Sequence, residues 1–116
     1  MFSLKERVLL QERRIFERFQ VELPVKFSYE AGAKEGFGRI VNISAGGGGM
    51  IVTGEKLLPF TQLEIWMQIA ADKEPLYVKG KVVWTMVSGP QAYRVGIKFD
   101  KIDLMGIGRV LRKKDE

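Results

Sequence analysis

The sequence predicts an all-β fold, a six-stranded antiparallel barrel with a short helix at each end, and three observations lead there. The first is period-two alternation of apolar and polar residues, which recurs in separate stretches between Phe19 and Phe99. The second is the links between those stretches, which are of hairpin length and punctuated by Gly, Pro, Asp and Ser, so that neighbours pair antiparallel. The third is size. A chain of 116 residues with 46% hydrophobic content makes one domain with one core, and closing the sheet on itself removes its exposed edges.

Each element has its own reason. Ser3-Leu4-Lys5-Glu6 has the spacing of a capping box, and predicts a short helix from about Leu4 to Gln11 with a narrow apolar stripe of Leu4, Val8 and Leu9. Glu12 to Arg18 is an arginine-rich segment. Phe19, Val21, Leu23, Val25, Phe27 and Tyr29 then alternate without a break against polar residues and Pro24, giving the first strand. Pro24 cannot donate to a ladder, so a bulge, bend or edge is expected near it. Ala31 to Gly36 is a loop, and Phe37 to Ile43 the second strand. Asn42-Ile43-Ser44-Ala45-Gly46-Gly47-Gly48-Gly49 reads as a tight connection to a third strand, Met50 to Thr53. Leu63, Ile65, Met67 and Ile69 mark the fourth. The fifth runs from Leu76 to about Val87, with Leu76, Val78, Gly80, Val82, Trp84 and Met86 on one face. Tyr93, Val95, Ile97 and Phe99 mark the sixth. From Asp103 the period changes: Leu104, Ile107, Val110 and Leu111 recur at helical spacing and predict a short C-terminal helix that plugs or flanks the barrel. The organisation is one domain in all, with residues 1–18 as the helix and arginine segment and 19–116 as the barrel and last helix.

Composition excludes much. With no Cys and no His, disulfides, zinc sites, catalytic triads and imidazole acid–base chemistry cannot be built. Asp72, Asp100 and Asp103 fall in turns or at strand ends without a partnered nucleophile or base, so an enzyme is not expected. No apolar run is long enough to span a bilayer, and the first eighteen residues are too charged for a secretory leader, which predicts a cytoplasmic protein without membrane insertion. The formal charge of +5 favours an anionic partner, but an excess of that size also occurs in proteins that bind nothing charged.

Two stretches carry candidate chemistry. Arg13, Arg14 and Arg18 precede the first strand, and arginine presents a planar fork that holds phosphate bidentately and stacks on planar rings, so Arg14 and Arg18 could grip both the phosphate and the base of a nucleotide. The alternative is a solvated segment neutralised by Glu12 and Glu17. In the glycine stretch, backbone N–H groups could be turned toward one point, with Asn42 and Ser44 at the mouth. The alternative there is a glycine-rich hairpin whose Asn and Ser satisfy the local backbone.

Arg14-x-x-x-Arg18 followed, one strand pair later, by Asn42-x-Ser44-x-x-Gly47 resembles the two-part signature of PilZ domains, bacterial receptors for cyclic di-GMP. Tyr93-Arg94-Val95-Gly96-Ile97-Lys98-Phe99 also resembles the family's last barrel strand, so the resemblance covers nearly the whole chain. Asn42 stands where the family has Asp or Asn, and Gly48-Gly49 makes the stretch more glycine-rich than in most members. The resemblance implies a PilZ-type barrel with cyclic di-GMP as ligand rather than cofactor. Arg14 and Arg18 would contact phosphate and guanine, Asn42 and Ser44 would hydrogen-bond guanine, and Gly46 and Gly47 would admit the base to the backbone. Arg13 would stack on a second ligand molecule. Trp84 could stack on a base from the barrel rim, with core packing as its alternative. Expected further are signalling through an unidentified effector protein in motility or biofilm control, a change on binding in the N-terminal segment, whose arginines lie outside the barrel that carries Asn42 and Ser44, and no DNA or RNA ligand; homodimer formation stays open. Two other readings remain: a PilZ-like protein adaptor without ligand, and a small barrel for single-stranded nucleic acid, which would spread Lys and aromatic residues over one sheet face.

Overall fold

The computed structural model of the chain describes residues 18–100. They form six strands: β1 (Phe19–Tyr29), β2 (Lys34–Ile43), β3 (Gly47–Thr53), β4 (Gln62–Met67), β5 (Leu76–Gly89) and β6 (Ala92–Phe99). All neighbours are antiparallel and the sheet closes in the order β1-β2-β3-β6-β5-β4, with β4 returning to β1. Among the described residues no helix is long and apolar enough to cross a membrane. The expected helices at residues 4–11 and 104–111 lie outside the described residues.

Alternation produces this closure directly. Leu23, Val25 and Phe27 of β1, Ile40 of β2, Met50 and Val52 of β3, Leu63, Ile65 and Met67 of β4, Leu76, Val78 and Val82 of β5 and Val95, Ile97 and Phe99 of β6 all bury their side chains in one core. Burying a side chain of this size contributes roughly 1.5–3 kcal/mol. The bend expected near Pro24 takes the form of a register shift between Gln20 and Leu23.

Two expectations need correction. The glycine stretch is not mainly a loop. Only residues 44–46 turn the chain, and Gly47, Gly48 and Gly49 are already strand, paired with Lys98, Ile97 and Gly96. Among the described residues the left-handed glycines are Gly32 and Gly54, both outside this stretch. What glycine supplies here is closeness: a Cβ at Gly48 would lie 2.7 Å from the Asn42 carbonyl oxygen, and one at Gly47 would overlap the Ile97 carbonyl oxygen.

The second correction concerns β5. Strict alternation put Trp84 and Met86 on the face of Val82. In the structure Val82 pairs with Ile97 while Trp84 pairs with Gly96, so Val83 is an extra residue, a β-bulge. Beyond it the faces exchange: Val82 is fully buried, whereas Trp84 is 38% exposed and Met86 60%. Core packing is therefore not the role of Trp84.

Candidate functional site

Cross-strand pairing places Gln20, Asn42, Gly49, Gly96 and Trp84 opposite one another in a row over β1, β2, β3, β6 and β5, on the outward face. Two residues of this row face outward because of bulges. Ile40 pairs with Met50 and Asn42 with Gly49, so Val41 is an extra residue in β2 as Val83 is in β5. Without the bulge, Asn42 would follow Ile40 into the core. One extra residue on each flanking strand aims a functional group at the glycine pair between them.

The two glycines leave a floor that their neighbours occupy. A Cβ on Gly49 would lie 2.6 Å from Asn42 Nδ2, and one on Gly96 would overlap the indole of Trp84 at Nε1 and Cε2. The carboxamide of Asn42 thus lies over Gly49, and the ring of Trp84 over Gly96. Arg18 Nη1 donates to Asn42 Oδ1 at 2.9 Å. This bond fixes the orientation of the carboxamide of Asn42, a buried residue, and brings the last arginine of the N-terminal segment to the edge of the floor.

Ser44 is buried and serves the turn. Its N–H donates to Gly47 O at 2.8 Å, and its hydroxyl donates to the same oxygen at 3.4 Å. Gly46 accepts from Phe99 N–H at 2.9 Å, tying the turn to the end of β6. Ser44, Gly46 and Gly47 therefore shape the loop beside the floor, and Arg18, Asn42 and Trp84 border the floor itself. Arg13 and Arg14 lie outside the described residues.

Sequence reading missed Gly49, Gly96, Arg94 and Lys98. Arg94 and Lys98 stand two residues to either side of Gly96, are exposed and share its outward face, so a cation flanks the floor at each side along β6. The signal was in the sequence: once Val95, Ile97 and Phe99 are taken as inward, Arg94, Gly96 and Lys98 must be outward. A groove of about 530 Å3 lined by Pro24, Val25, Lys26, Phe37, Trp66, Gln68 and Pro75 lies elsewhere on the barrel, and no residue of the glycine row lines it.

A family model for the PilZ domain matches residues 12–112. The chain belongs to the PilZ family. A comparison with curated proteins gives no match. Among solved structures, this PilZ domain is similar to the PilZ domain of YcgR from Escherichia coli with c-di-GMP, at 12% identity and a TM-score of 0.68 over 89% of this chain and 92% of that one. It is also similar to the inhibitor of motility MotI/DgrA of Bacillus subtilis, at 16% identity and a TM-score of 0.64, covering 82% of this chain and 46% of that one. The PlzA protein of Borreliella burgdorferi in complex with c-di-GMP matches at 21% identity and a TM-score of 0.60, covering 95% and 44%. The chain spans less than half the length of MotI and PlzA, and at these identities the likeness is one of fold.

Proposed function

We propose that this PilZ domain is a cyclic di-GMP receptor that signals through a protein partner. The observation that carries the reading is the bond from Arg18 to Asn42 at the edge of a glycine floor that Trp84 borders on the other side. A ligand with two guanines and two phosphates asks for flat apolar surface, in-plane hydrogen bonding and fixed positive charge. The floor and indole supply the first, Asn42 and Arg18 the second, and Arg18, Arg94 and Lys98 the third. Arg14 completes the motif, and Arg13 is assigned to a second ligand molecule. Ser44 and Gly47 act by holding the turn, which departs from a direct guanine contact for Ser44. The activity is binding without bond making, in a soluble cytoplasmic setting.

Binding joins the N-terminal segment to the barrel, and the changed surface beside the floor is what a partner reads. Arg18 donates to Asn42 of the barrel, so the change is assigned to the residues before it. Hydrogen exchange should show protection gained by residues 12–17 on adding ligand, with little change from Val21 to Tyr29; equal protection in both states would make the domain a preformed pocket.

A nucleic-acid reading has one observation in its favour. Phe37, Lys26, Trp66 and Tyr77 form an outward row over β2, β1, β4 and β5. Yet Lys26 pairs with Glu35 at 3.4 Å and the Tyr77 hydroxyl donates to Glu64 at 3.1 Å, so charge there is balanced rather than basic. Isothermal titration of the purified protein with cyclic di-GMP, GTP and single-stranded oligonucleotides separates the readings. Saturable heat is expected with cyclic di-GMP alone; no heat and no melting shift at excess ligand would sink the receptor reading and leave the adaptor.

A further inference from the structure

We infer that Gly49 and Gly96 are positioning residues of the ligand seat: they hold Asn42 and Trp84 in place by having no side chain, and the barrel does not need them to be glycine. The inference rests on the receptor reading above and extends it to two positions outside the two-part signature.

What decides it is the identity of the atoms that an added Cβ would meet. At Gly47 the nearest are the carbonyl oxygen of Ile97 and, at 3.3 Å, Lys98 Cα, both backbone; at Gly48 the nearest is the carbonyl oxygen of Asn42. Those atoms belong to the ladders that close the barrel and cannot move alone. At Gly49 all three nearest atoms, at 2.6 to 3.2 Å, are Asn42 side chain, and at Gly96 all three are Trp84 indole. Neither glycine has a positive φ, so alanine fits both backbones. Strain from a methyl group at either position is relieved by rotating one side chain. Trp84 has room to do so, being 38% exposed.

The two collisions have a shared consequence. Gly49 and Gly96 are cross-strand partners, so their Cα atoms form one patch between the carboxamide and the indole. A methyl on either raises the floor and displaces one of its borders. The loss falls on the seat and not on the core.

The experiment is a pair of double-mutant cycles read by cyclic di-GMP titration and thermal melting. Gly96→Ala should weaken binding by about tenfold or more, in the range of lost base–aromatic stacking, with a cooperative melt close to wild type. In a Trp84→Ala background the same change should cost less than about twofold, because the group it displaces is gone. Gly49→Ala should behave likewise toward Asn42→Ala. Equal losses in both backgrounds, unchanged affinity, or loss of the cooperative melt in Gly96→Ala and Gly49→Ala would each overturn the inference. A ligand-free readout separates it from the receptor reading: in a Trp66→Phe background Trp84 is the remaining indole, and Gly96→Ala should shift its emission and raise its quenching by acrylamide. If the wild-type protein takes no cyclic di-GMP the receptor reading fails, whereas unaltered Trp84 emission in Gly96→Ala defeats the positioning claim itself.

Discussion

Two rows of outward residues cross this barrel, and they differ in what fills them. The row Phe37, Lys26, Trp66 and Tyr77 is complete: the Trp66 and Tyr77 rings lie 5.3 Å apart and the Lys26 ammonium stands 5.8 Å from the Trp66 ring. Each side chain there is the neighbour of the next, which is how a sheet face stabilises itself. The row Asn42, Gly49, Gly96 and Trp84 has its two middle positions empty, so the outer residues lie down over bare backbone. Equivalent pairing geometry thus yields a self-satisfied surface in one place and a bare floor in the other. The difference is two missing side chains.

The sharpest way to break the comparison is at the seat. Arg18→Ala should weaken cyclic di-GMP binding by about 2–5 kcal/mol, since it strands charged and hydrogen-bonded partners on the ligand side, and should leave the fold intact. Calorimetric titration checks this, and wild-type affinity would place the seat elsewhere. Next in size is Gly47→Ala, where the collision is with backbone: about 1–3 kcal/mol of stability should be lost in urea unfolding. A silent result would mean that β3 and β6 can spread without cost.

Smaller effects test the filled row. Trp66→Ala should cost stability by about 0.5–1 kcal/mol through its cross-strand contacts, with ligand affinity unchanged; a large loss of affinity would show that the two rows work as one surface. The smallest effect is expected away from both rows, where Glu55 accepts from the Tyr29 hydroxyl at 2.8 Å and from Lys34 Nζ at 3.3 Å. The Tyr29 hydrogen bond first, then Lys34, hold the Glu55 carboxyl below its ordinary 4.5. A carboxylate depressed in the folded state stabilises above its unfolded value and loses that contribution as pH falls through the folded one. The melting difference between wild type and Glu55→Gln should therefore be present at neutral pH and close in acid.

Much of the barrel was legible because its signal is local and repeated. Alternation in β1, β4 and β6 maps onto inward and outward faces almost residue by residue. The proposed seat was legible only in part. Arg18 and Asn42 belong to a spaced motif, whereas Gly49, Gly96 and Trp84 meet through registers on three strands that no local pattern reveals. Trp84 was misplaced for a specific reason: a bulge leaves no mark in an apolar run such as Val82-Val83-Trp84, where every residue would pass as core. The glycines were misread for a related reason. Four in succession suggest a tight turn, but in a closed sheet glycine also marks where a neighbouring group comes within contact of the backbone.

The bulge at Val83 makes this floor tolerant of a kind of genetic change that substitution scans do not sample. Val83 is 44% exposed, so many residues should serve in its place. Its removal should be tolerated as well. A one-codon deletion would restore strict alternation in β5 with Val82 still inward opposite Ile97 and Trp84 still outward opposite Gly96. The same holds between β2 and β3, where losing Val41 would leave Ile40 inward and Asn42 outward. What would turn Trp84 inward is a slip that irons out the bulge while Val83 stays in the chain. Lineages that keep every motif residue yet lack the extra residue at either strand should therefore keep both the barrel and the floor, and alignments of such chains are better judged by register than by identity.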